Sequence, residues 1–210
     1  MQALVDNSEQ GSQEWLKARI PYVTASDVAK VMAKGSGATR TNYMVKKICE
    51  MLSGQPVSGY KSNYMQNGND NEPIARRAYE LISGNTVEQT GFWYLPDELL
   101  GASTDGLVGK DGEIEIKNVI PAEQVRTLTT GKIKGEYLKQ IQTQLYVYGR
   151  QWCDFVSQSL GDEENGYLPE HLRICIIRVE RDKQMIEEIR SEVAKFHKDL
   201  AELKLKLESL

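Results

Sequence analysis

The stretch that decides the fold is Ser103-Thr104-Asp105-Gly106-Leu107-Val108, which runs through Gly109-Lys110-Asp111-Gly112 into Glu113-Ile114-Glu115-Ile116-Lys117. Its middle part carries an Asp-Gly pair, which is a strong signal for the turn of a β-hairpin. In the second arm the side chains alternate between the two faces of a strand, so Ile114 and Ile116 share one face, and Glu115 and Lys117 share the other. The hairpin is therefore predicted to bring Asp105, Glu115 and Lys117 to one point.

Two carboxylates and an ammonium group held together suit metal-dependent cleavage of a phosphodiester. Mg²⁺ prefers oxygen ligands, keeps several waters and uses few protein carboxylates. Asp105, Glu115 and the backbone carbonyl of Ile116 are therefore predicted to hold the cation, which stabilises charge on the phosphate and makes water more acidic. Lys117 is predicted to orient or deprotonate the attacking water, or to neutralise the phosphate. The alternative is a solvated hairpin in which Glu115 and Lys117 form an ordinary surface pair.

The composition is that of an ordinary soluble globular protein. The chain has 210 residues, of which 40% are hydrophobic and 27% are charged, and this predicts one domain with a sizeable core. No apolar run approaches the roughly 20 residues that a membrane-spanning helix needs, and the N-terminus lacks the pattern of a signal peptide. We therefore expect a cytoplasmic protein without a membrane partner.

Charge and cysteine content exclude two further classes. The net charge of −4 argues against a protein that coats nucleic acid non-specifically, although a local basic groove can coexist with an acidic exterior. The cysteines Cys49, Cys153 and Cys175 are scattered and form no CxxC pair. They therefore predict neither a disulfide framework nor a four-thiolate metal cluster.

Helical and extended patterns follow one another along the chain. Helices are predicted over about 24–32, 42–52, 72–84, 137–148 and 182–210, and strands over about 86–95, 152–158 and 172–181 in addition to the hairpin. Residues 1–12 are predicted to be loosely ordered, and Pro121 to Lys134 to form a polar connection. This order predicts an α/β fold in which helices flank a central mixed β-sheet. Apolar spacings of three and four in the last helix indicate a seam against the body or a neighbouring subunit.

A set of motifs in a fixed order over about residues 12–150 is more specific than any one of them. They are Trp15 and Arg19 with Thr24-Ala25-Ser26, Glu72 with Ala75-Arg76, Ser103-x-Asp105-Gly106, Glu115-x-Lys117, and Tyr137-x-x-Gln140-x-Gln142. In this combination the chain resembles the lambda exonuclease family, also described as YqaJ-type viral recombinases.

The resemblance implies a restriction-endonuclease-like core and a single exonuclease domain over residues 1–210. Within it we expect an N-terminal helical DNA-binding part over about 12–55, a nuclease core over about 65–181 and a C-terminal helix over about 182–210. Asp105 and Glu115 would bind metal together with the carbonyl of Ile116, and Lys117 would be the catalytic lysine. Glu72 would be a further catalytic residue near the metal. The family implies two Mg²⁺ ions, which Mn²⁺ can replace.

A second group of residues would hold the 5′-phosphate of the DNA end. Hydroxyl groups and a guanidinium offer directional donors to phosphate oxygens, and the matching positions are Arg19, Ser26, Ser103 and Gln140. For Arg19 and Ser26 the alternatives are a surface salt bridge and a helix cap. Gln142 would support the site or serve as a structural hydrogen-bonding residue.

The activity that the resemblance implies is 5′-to-3′ degradation of one strand of linear double-stranded DNA, which leaves a 3′ overhang for annealing-type recombination. The implied partners are the DNA, a single-strand annealing recombinase and two further copies of the chain in a ring-shaped homotrimer. Two other functions remain open at this point. One is a DNA endonuclease with a related core, and the other is a non-catalytic module that binds DNA ends.

Overall fold

The computed structural model of the chain describes residues 2–34, 37–57 and 63–210, and over 63–70 it describes the helical backbone alone. The strands are β1 (Leu4–Asp6), β2 (Val23–Thr24), β3 (Val87–Glu88), β4 (Phe92–Leu95), β5 (Leu100–Ala102), β6 (Gly106–Val108), β7 (Gly112–Asn118), β8 (Trp152–Gln158) and β9 (Ile174–Glu180). The helices are α1 (Gln13–Ala18), α2 (Val28–Val31), α3 (Thr39–Ser53), α4 (Asn63–Ser83), α5 (Pro121–Thr130), α6 (Gly135–Val147) and α7 (Lys183–Glu208). Helices thus flank two β-sheets, which confirms the predicted α/β class.

The larger sheet has the strand order β3-β6-β7-β8-β9. β6 and β7 form the predicted antiparallel hairpin, and Gly109 in its turn takes a positive φ of 54° that glycine adopts readily. β7 runs parallel to β8, with Glu115 opposite Phe155, because α5 and α6 carry the chain back across the sheet. The sheet is therefore mixed, as predicted.

A second sheet, in the order β1-β4-β5-β2, joins the N-terminal segment to the middle of the chain. Leu4 pairs with Tyr94 in an antiparallel ladder, and Val23 pairs with Leu100 in a parallel one. The expectation of loose order over residues 1–12 is wrong for β1. Its side chains are mostly exposed and show no burial pattern, so the strand is held by backbone pairing with a segment far away in sequence.

Two helices differ from the predictions. α4 begins at Asn63 and contains Pro73 in its interior, whereas the sequence pattern placed Pro73 at the start of a helix. The predicted polar connection after the hairpin contains α5, which starts with Pro121 and ends at Gly131 with a φ of 63°. Proline at the first position and glycine at the end are normal helix boundaries. The helix was missed because it buries polar Gln124 and Thr127 instead of an apolar stripe.

The apolar seam of α7 packs against the body of the same chain. Its buried residues are Ile186, Ile189, Val193, Phe196 and Leu200, and the helix contacts α2, α3 and α6. The sequence pattern left two partners open for this seam, the body of the chain or a neighbouring subunit. The structure shows packing against the body along most of the helix. Within the described ranges, no helix is long and apolar enough to cross a membrane.

Candidate active-site cleft

A cleft of about 410 Å³ lies between the N-terminal segment and the β6–β7 hairpin. It is lined by Gln10, Trp15, Arg19, Thr24, Ala25, Ser26, Glu72, Ser103, Asp105, Glu115, Ile116, Lys117, Asn118 and Gln140. Of the residues predicted from the sequence, the cleft brings together all except Gln142. The two sheets explain this convergence, because β2 and β5 place the N-terminal segment beside the loop that leads from β5 into β6.

The loop before Asp105 is fixed by hydrogen bonds to buried neighbours. The hydroxyl of Thr104 donates to the carbonyl of Ile114 at 2.9 Å, and the backbone N–H of Thr104 donates to the hydroxyl of Tyr148 at 3.2 Å. The Asp105 carboxylate accepts from the backbone N–H of Ile116 at 2.6 Å. Asp105 is thereby held against the edge of β7 where Glu115 and Lys117 project.

Glu115 is almost fully buried, and donors surround its carboxylate. The ammonium of Lys117 lies 2.5 Å from Oε1, and Gln140 Nε2 donates to the same oxygen at 2.6 Å. Gln144 Nε2 donates to Oε2, also at 2.6 Å. These contacts fix the orientation of the carboxylate before any ligand binds.

Burial and neighbouring charges raise the pKa of two acidic groups of the cleft, Asp105 and Glu72. Burial, with the nearby charges of Glu115 and Glu72, raises the pKa of Asp105 well above its usual range. Burial also raises the pKa of Glu72, although the Arg76 guanidinium bonded to Glu72 opposes the shift. Burial alone would lower the pKa of Lys117, but the carboxylates of Glu115 and Asp105 raise it, so the ammonium stays charged. The site is one in which a bound cation would relieve repulsion between like charges.

The donor set of the cleft fits a hard cation that needs few protein ligands. Among the residues whose side chains are described, no three acidic, histidine or cysteine side chains form a metal-binding group. Such a cage is typical of zinc or calcium, whereas Mg²⁺ takes one or two carboxylates and retains its waters. Asp105 and Glu115 meet that requirement. The carboxylate of Glu72 is already bonded to Arg76, so Glu72 is a less direct candidate ligand than Asp105 and Glu115.

The cleft also contains hydrogen-bond donors without acceptors among the described residues. Arg19 Nε and Ser103 Oγ are both buried, and neither has a hydrogen-bond partner among the described residues. The Arg19 guanidinium lies 3.9 Å from the centre of the Trp15 ring, a stacked arrangement that holds it in place. Ser26 Oγ lies 3.3 Å from the hydroxyl of Thr24. Buried donors without partners are rare in folded proteins and indicate a place for a ligand.

Gln142 and Gln144 have different surroundings from those that the sequence motif indicates. Gln142 Nε2 donates to the carbonyl of Glu180 at 2.8 Å, and its Oε1 accepts from the N–H of Asp182 at 2.8 Å. Gln142 therefore joins α6 to the start of α7. This is the structural hydrogen-bonding role that was predicted as the alternative to a role in the site. Gln144 reaches the cleft side and was missed. The signal that would have found it is its spacing of four from Gln140, which places both on one face of α6.

Comparisons with known proteins match most of the chain. A family model described as the YqaJ-like viral recombinase domain matches residues 14–151. The crystal structure of LHK-Exo, an alkaline exonuclease from Laribacter hongkongensis, is 41% identical to this chain. It superposes with a TM-score of 0.84 and covers 94% of this chain and 97% of its own. LHK-Exo in complex with dAMP superposes with a TM-score of 0.85 at the same identity and coverage.

Two more distant proteins are also similar. A phage-related exonuclease from Haemophilus somnus is 15% identical, with a TM-score of 0.70 over 89% of this chain and 96% of that one, and shows a shared fold. An uncharacterized protein of Acanthamoeba polyphaga mimivirus is 24% identical over 174 residues. That match takes in 75% of this chain but only 30% of the viral protein's length.

Proposed function

The chain belongs to the family of YqaJ-like viral recombinase domains, and on this premise we propose that it is a Mg²⁺-dependent exonuclease. It degrades one strand of linear double-stranded DNA from the 5′ end and leaves a 3′ single-stranded overhang. Its relative LHK-Exo is an alkaline exonuclease that has been solved with dAMP, a mononucleotide of the kind that such an enzyme releases. Residues 1–210 act in this proposal as one exonuclease domain.

The observation that carries the proposal is the presence, in one cleft, of clustered carboxylates and of buried donors without acceptors. Asp105 and Glu115 lie close together, and burial, with the charge of Glu115, raises the pKa of Asp105. In the same cleft, Arg19 Nε and Ser103 Oγ are buried donors without acceptors among the described residues. A cation suits the carboxylates, and a phosphate suits the donors. A phosphorylated DNA end brings a scissile phosphodiester and a terminal phosphate to these two groups together.

In the proposed reaction, Asp105, Glu115 and the carbonyl of Ile116 would hold Mg²⁺, and Mn²⁺ could take its place. When bound, the ion would stabilise negative charge on the phosphate oxygens and favour attack by water near neutral pH. Glu72 would help to hold a second ion. Asp105 must be ionised to bind metal, so its raised pKa makes cation and proton compete for the same carboxylate.

Lys117 supplies a positive charge beside the reacting phosphate. Its ammonium contacts Glu115 and remains protonated because two carboxylates face it. In that state it orients the attacking water and neutralises the phosphodiester. Gln140 contacts the same carboxylate oxygen through one amide hydrogen, which leaves its second amide hydrogen for the terminal phosphate.

End selection follows from the hydrogen-bond donors of the cleft. We propose that Arg19, Ser26, Ser103 and Gln140 surround the 5′-phosphate of the DNA end. Arg19 carries the charge, and the serine hydroxyls add directional donors. The stacking of Arg19 on Trp15 keeps the guanidinium in position, so little conformational entropy is lost when the phosphate binds.

For the assembled protein, we propose a ring-shaped homotrimer that encloses the duplex. We also propose a partner, a single-strand annealing recombinase, which binds the 3′ overhang that the reaction leaves. Family membership supports this assembly. The outer face of α4 adds to it, because Ile74, Leu81 and Ile82 are exposed apolar side chains on one helix.

The test compares DNA substrates that differ only in their ends. Linear duplex DNA should disappear with Mg²⁺ and release mononucleotides, closed circular duplex should survive, and EDTA should stop the reaction. Asp105→Ala and Glu115→Ala should abolish cleavage while DNA binding largely survives, because phosphate contacts elsewhere hold the DNA. Cleavage of closed circles would support the endonuclease alternative. Binding of DNA ends without any loss of DNA would support the non-catalytic module.

A further inference from the structure

Gln144 occupies a buried position on α6 and contacts both Glu115 and the backbone of Ser103. The residue is 0% exposed. Its Nε2 donates to Glu115 Oε2 at 2.6 Å and to the carbonyl of Ser103 at 2.9 Å. The side-chain amide has two hydrogens on this nitrogen, and these two acceptors use both of them.

The orientation of this amide has an energetic cost. Gln144 Oε1 is buried and has no hydrogen-bond partner among the described residues. Reversing the amide would place Oε1 against the Glu115 carboxylate and the Ser103 carbonyl, which are both acceptors. The amide is therefore held in one orientation by its two acceptors, at the expense of an unsatisfied oxygen. Buried polar groups that break this rule are typical of functional sites.

A side-chain amide is a suitable partner for Glu115, because the Glu115 carboxylate must stay anionic to bind a cation. Gln140 and Gln144 lie four residues apart on one helix face and hold opposite oxygens of Glu115. A neutral amide fixes the carboxylate without cancelling its charge, whereas a second lysine at this position would compete with a cation. The amide of Gln144 thus holds the rotamer of Glu115 and leaves its charge available.

We propose that Gln144 is a positioning residue for cation binding, which fixes the Glu115 carboxylate and ties it to the Ser103 loop. The inference rests on the proposed function, in which Glu115 is a metal ligand. Residues that hydrogen-bond metal ligands contribute roughly 10- to 100-fold to metal affinity or activity. We therefore expect Gln144→Met, which keeps the length of the side chain and removes its donors, to weaken Mn²⁺ binding about 10- to 100-fold.

Gln142→Met is the matched control. Gln142 lies two residues away on the same helix, is also buried, and loses two hydrogen bonds when replaced. Its bonds join α6 to the start of α7 and do not reach the cleft. We expect this variant to lower thermal stability and to bind Mn²⁺ as the wild type does. A general loss of packing in α6 would affect both variants equally, so the pair separates positioning from stability.

The measurement is isothermal titration of Mn²⁺ into the DNA-free protein, with circular dichroism showing that each variant is folded. Gln144→Leu is the second variant, since it also removes the donors without adding a charge, and it should bind Mn²⁺ more weakly than the wild type. In digestion assays, raising Mn²⁺ should restore turnover by Gln144→Met and should not restore turnover by Asp105→Ala.

The outcomes distinguish the inference from the function on which it rests. If the wild type binds Mn²⁺ and both Gln144 variants bind it equally well, the positioning role is overturned and the proposed metal site stands. If the wild type binds no Mn²⁺, the proposed metal site fails and the role of Gln144 fails with it. Weakened binding in both Gln144 variants, with normal binding in Gln142→Met, supports the inference.

Discussion

Arg19 combines burial, a fixed orientation and an unused donor. Its guanidinium stacks on Trp15, its Nε has no partner among the described residues, and burial lowers its pKa, against the opposing charge of Asp27. A buried cation with a free donor gains much from an anionic ligand. We therefore expect Arg19 to discriminate between DNA ends that carry a 5′-phosphate and ends that carry a hydroxyl.

Arg19→Ala should erase this preference. Losing a charge-assisted hydrogen bond costs about 1.5–3 kcal/mol, so digestion of 5′-phosphorylated duplex should slow by roughly ten- to a hundredfold. Digestion of 5′-hydroxyl duplex should change little, because Arg19 has no charged partner there. The measurement is the initial rate on two duplexes that differ only in the terminal phosphate. Equal loss on both substrates would show that Arg19 serves the fold or general DNA binding.

Glu113 shows how the same strand uses a carboxyl group outside the cleft. It lies two residues before Glu115 and is 0% exposed, and neither of its oxygens has a hydrogen-bond partner among the described residues. Burial, followed by the charge of Glu115, raises its pKa well above the usual range. The folded chain therefore favours the neutral form of Glu113, in which burial without a partner is least costly.

Glu113→Gln should make the free energy of unfolding fall less steeply as pH rises. At pH values below the ordinary pKa of glutamate, Glu113 is protonated in both the folded and the unfolded chain and adds no pH dependence. As pH rises above that pKa, the unfolded chain releases the proton while the folded chain keeps it, so the free energy of unfolding falls. The loss is about 1.4 kcal/mol for each pH unit between the unfolded and folded pKa values.

Glutamine cannot ionise, so the stability difference between Glu113→Gln and the wild type should grow in favour of the variant as pH rises. Urea unfolding at a series of pH values measures this. Glu136→Gln provides the control, since it removes one carboxylate from an exposed position of α6. A constant difference between Glu113→Gln and wild type at every pH would contradict the assignment.

At the scale of elements, a buried ion pair on α3 secures the end of α1. Lys47 is 3% exposed and donates to the carbonyl of Ile20, and it lies 3.1 Å from a carboxylate oxygen of Glu50. The second oxygen of Glu50 accepts from the N–H of Val57 at 3.2 Å. A cation at the C-terminal end of a helix is favoured by the helix dipole. The pair thus links the segment that carries Arg19 to the helical layer behind it.

Lys47→Met should destabilise the fold by about 3–5 kcal/mol, because it leaves the Glu50 carboxylate buried without its main partner. Lys46→Met is the control on the same helix. Lys46 is more exposed and lies 3.7 Å from Glu50, so its loss should cost at most about 1 kcal/mol. Denaturant unfolding compares the two variants, and equal stabilities would show that Lys47 contributes no more than a surface charge.

The elements that could be predicted from the sequence are those whose signals are local. The hairpin carries its own turn residues and α7 its own apolar seam, so both lie close to their predicted positions. β1 could not be predicted, because its partner is 90 residues away and its exposed side chains carry no pattern. In the cleft, motif resemblance located the charged groups, but the contacts of Gln144 depend on how α6 packs against the hairpin.

At the scale of the whole molecule, the packing of α7 determines which surfaces are left for contacts between subunits. The buried part of its seam covers α2, α3 and α6 of the same chain, so that part is not available to a neighbouring subunit. The exposed apolar residues of α4 and the distal Leu205 and Leu210 remain on the surface. These surfaces, rather than the seam, are where we expect subunit contacts.

Light scattering coupled to size-exclusion chromatography should give a mass three times the 23.7 kDa of one chain. A trimer should persist on dilution if the exposed apolar surface of α4 is buried between subunits, since burial of apolar area drives association. A mass of one chain across a broad range of concentration would contradict the proposed ring.

The pairing of β1 with β4 also governs when the enzyme becomes active during its synthesis. The ribosome releases the N-terminus first, yet Leu4 must wait for Tyr94, and Val23 for Leu100, before either strand has a partner. Arg19 and Ser26 lie on this waiting segment, and the cleft also needs Gln140 from a still later helix. Nascent chains grow by roughly 5–20 residues per second, so the unfinished polypeptide spends seconds without a working site. A truncated product released by a stalled ribosome after residue 118 and before residue 140 therefore carries the acidic hairpin but cannot assemble the complete cleft.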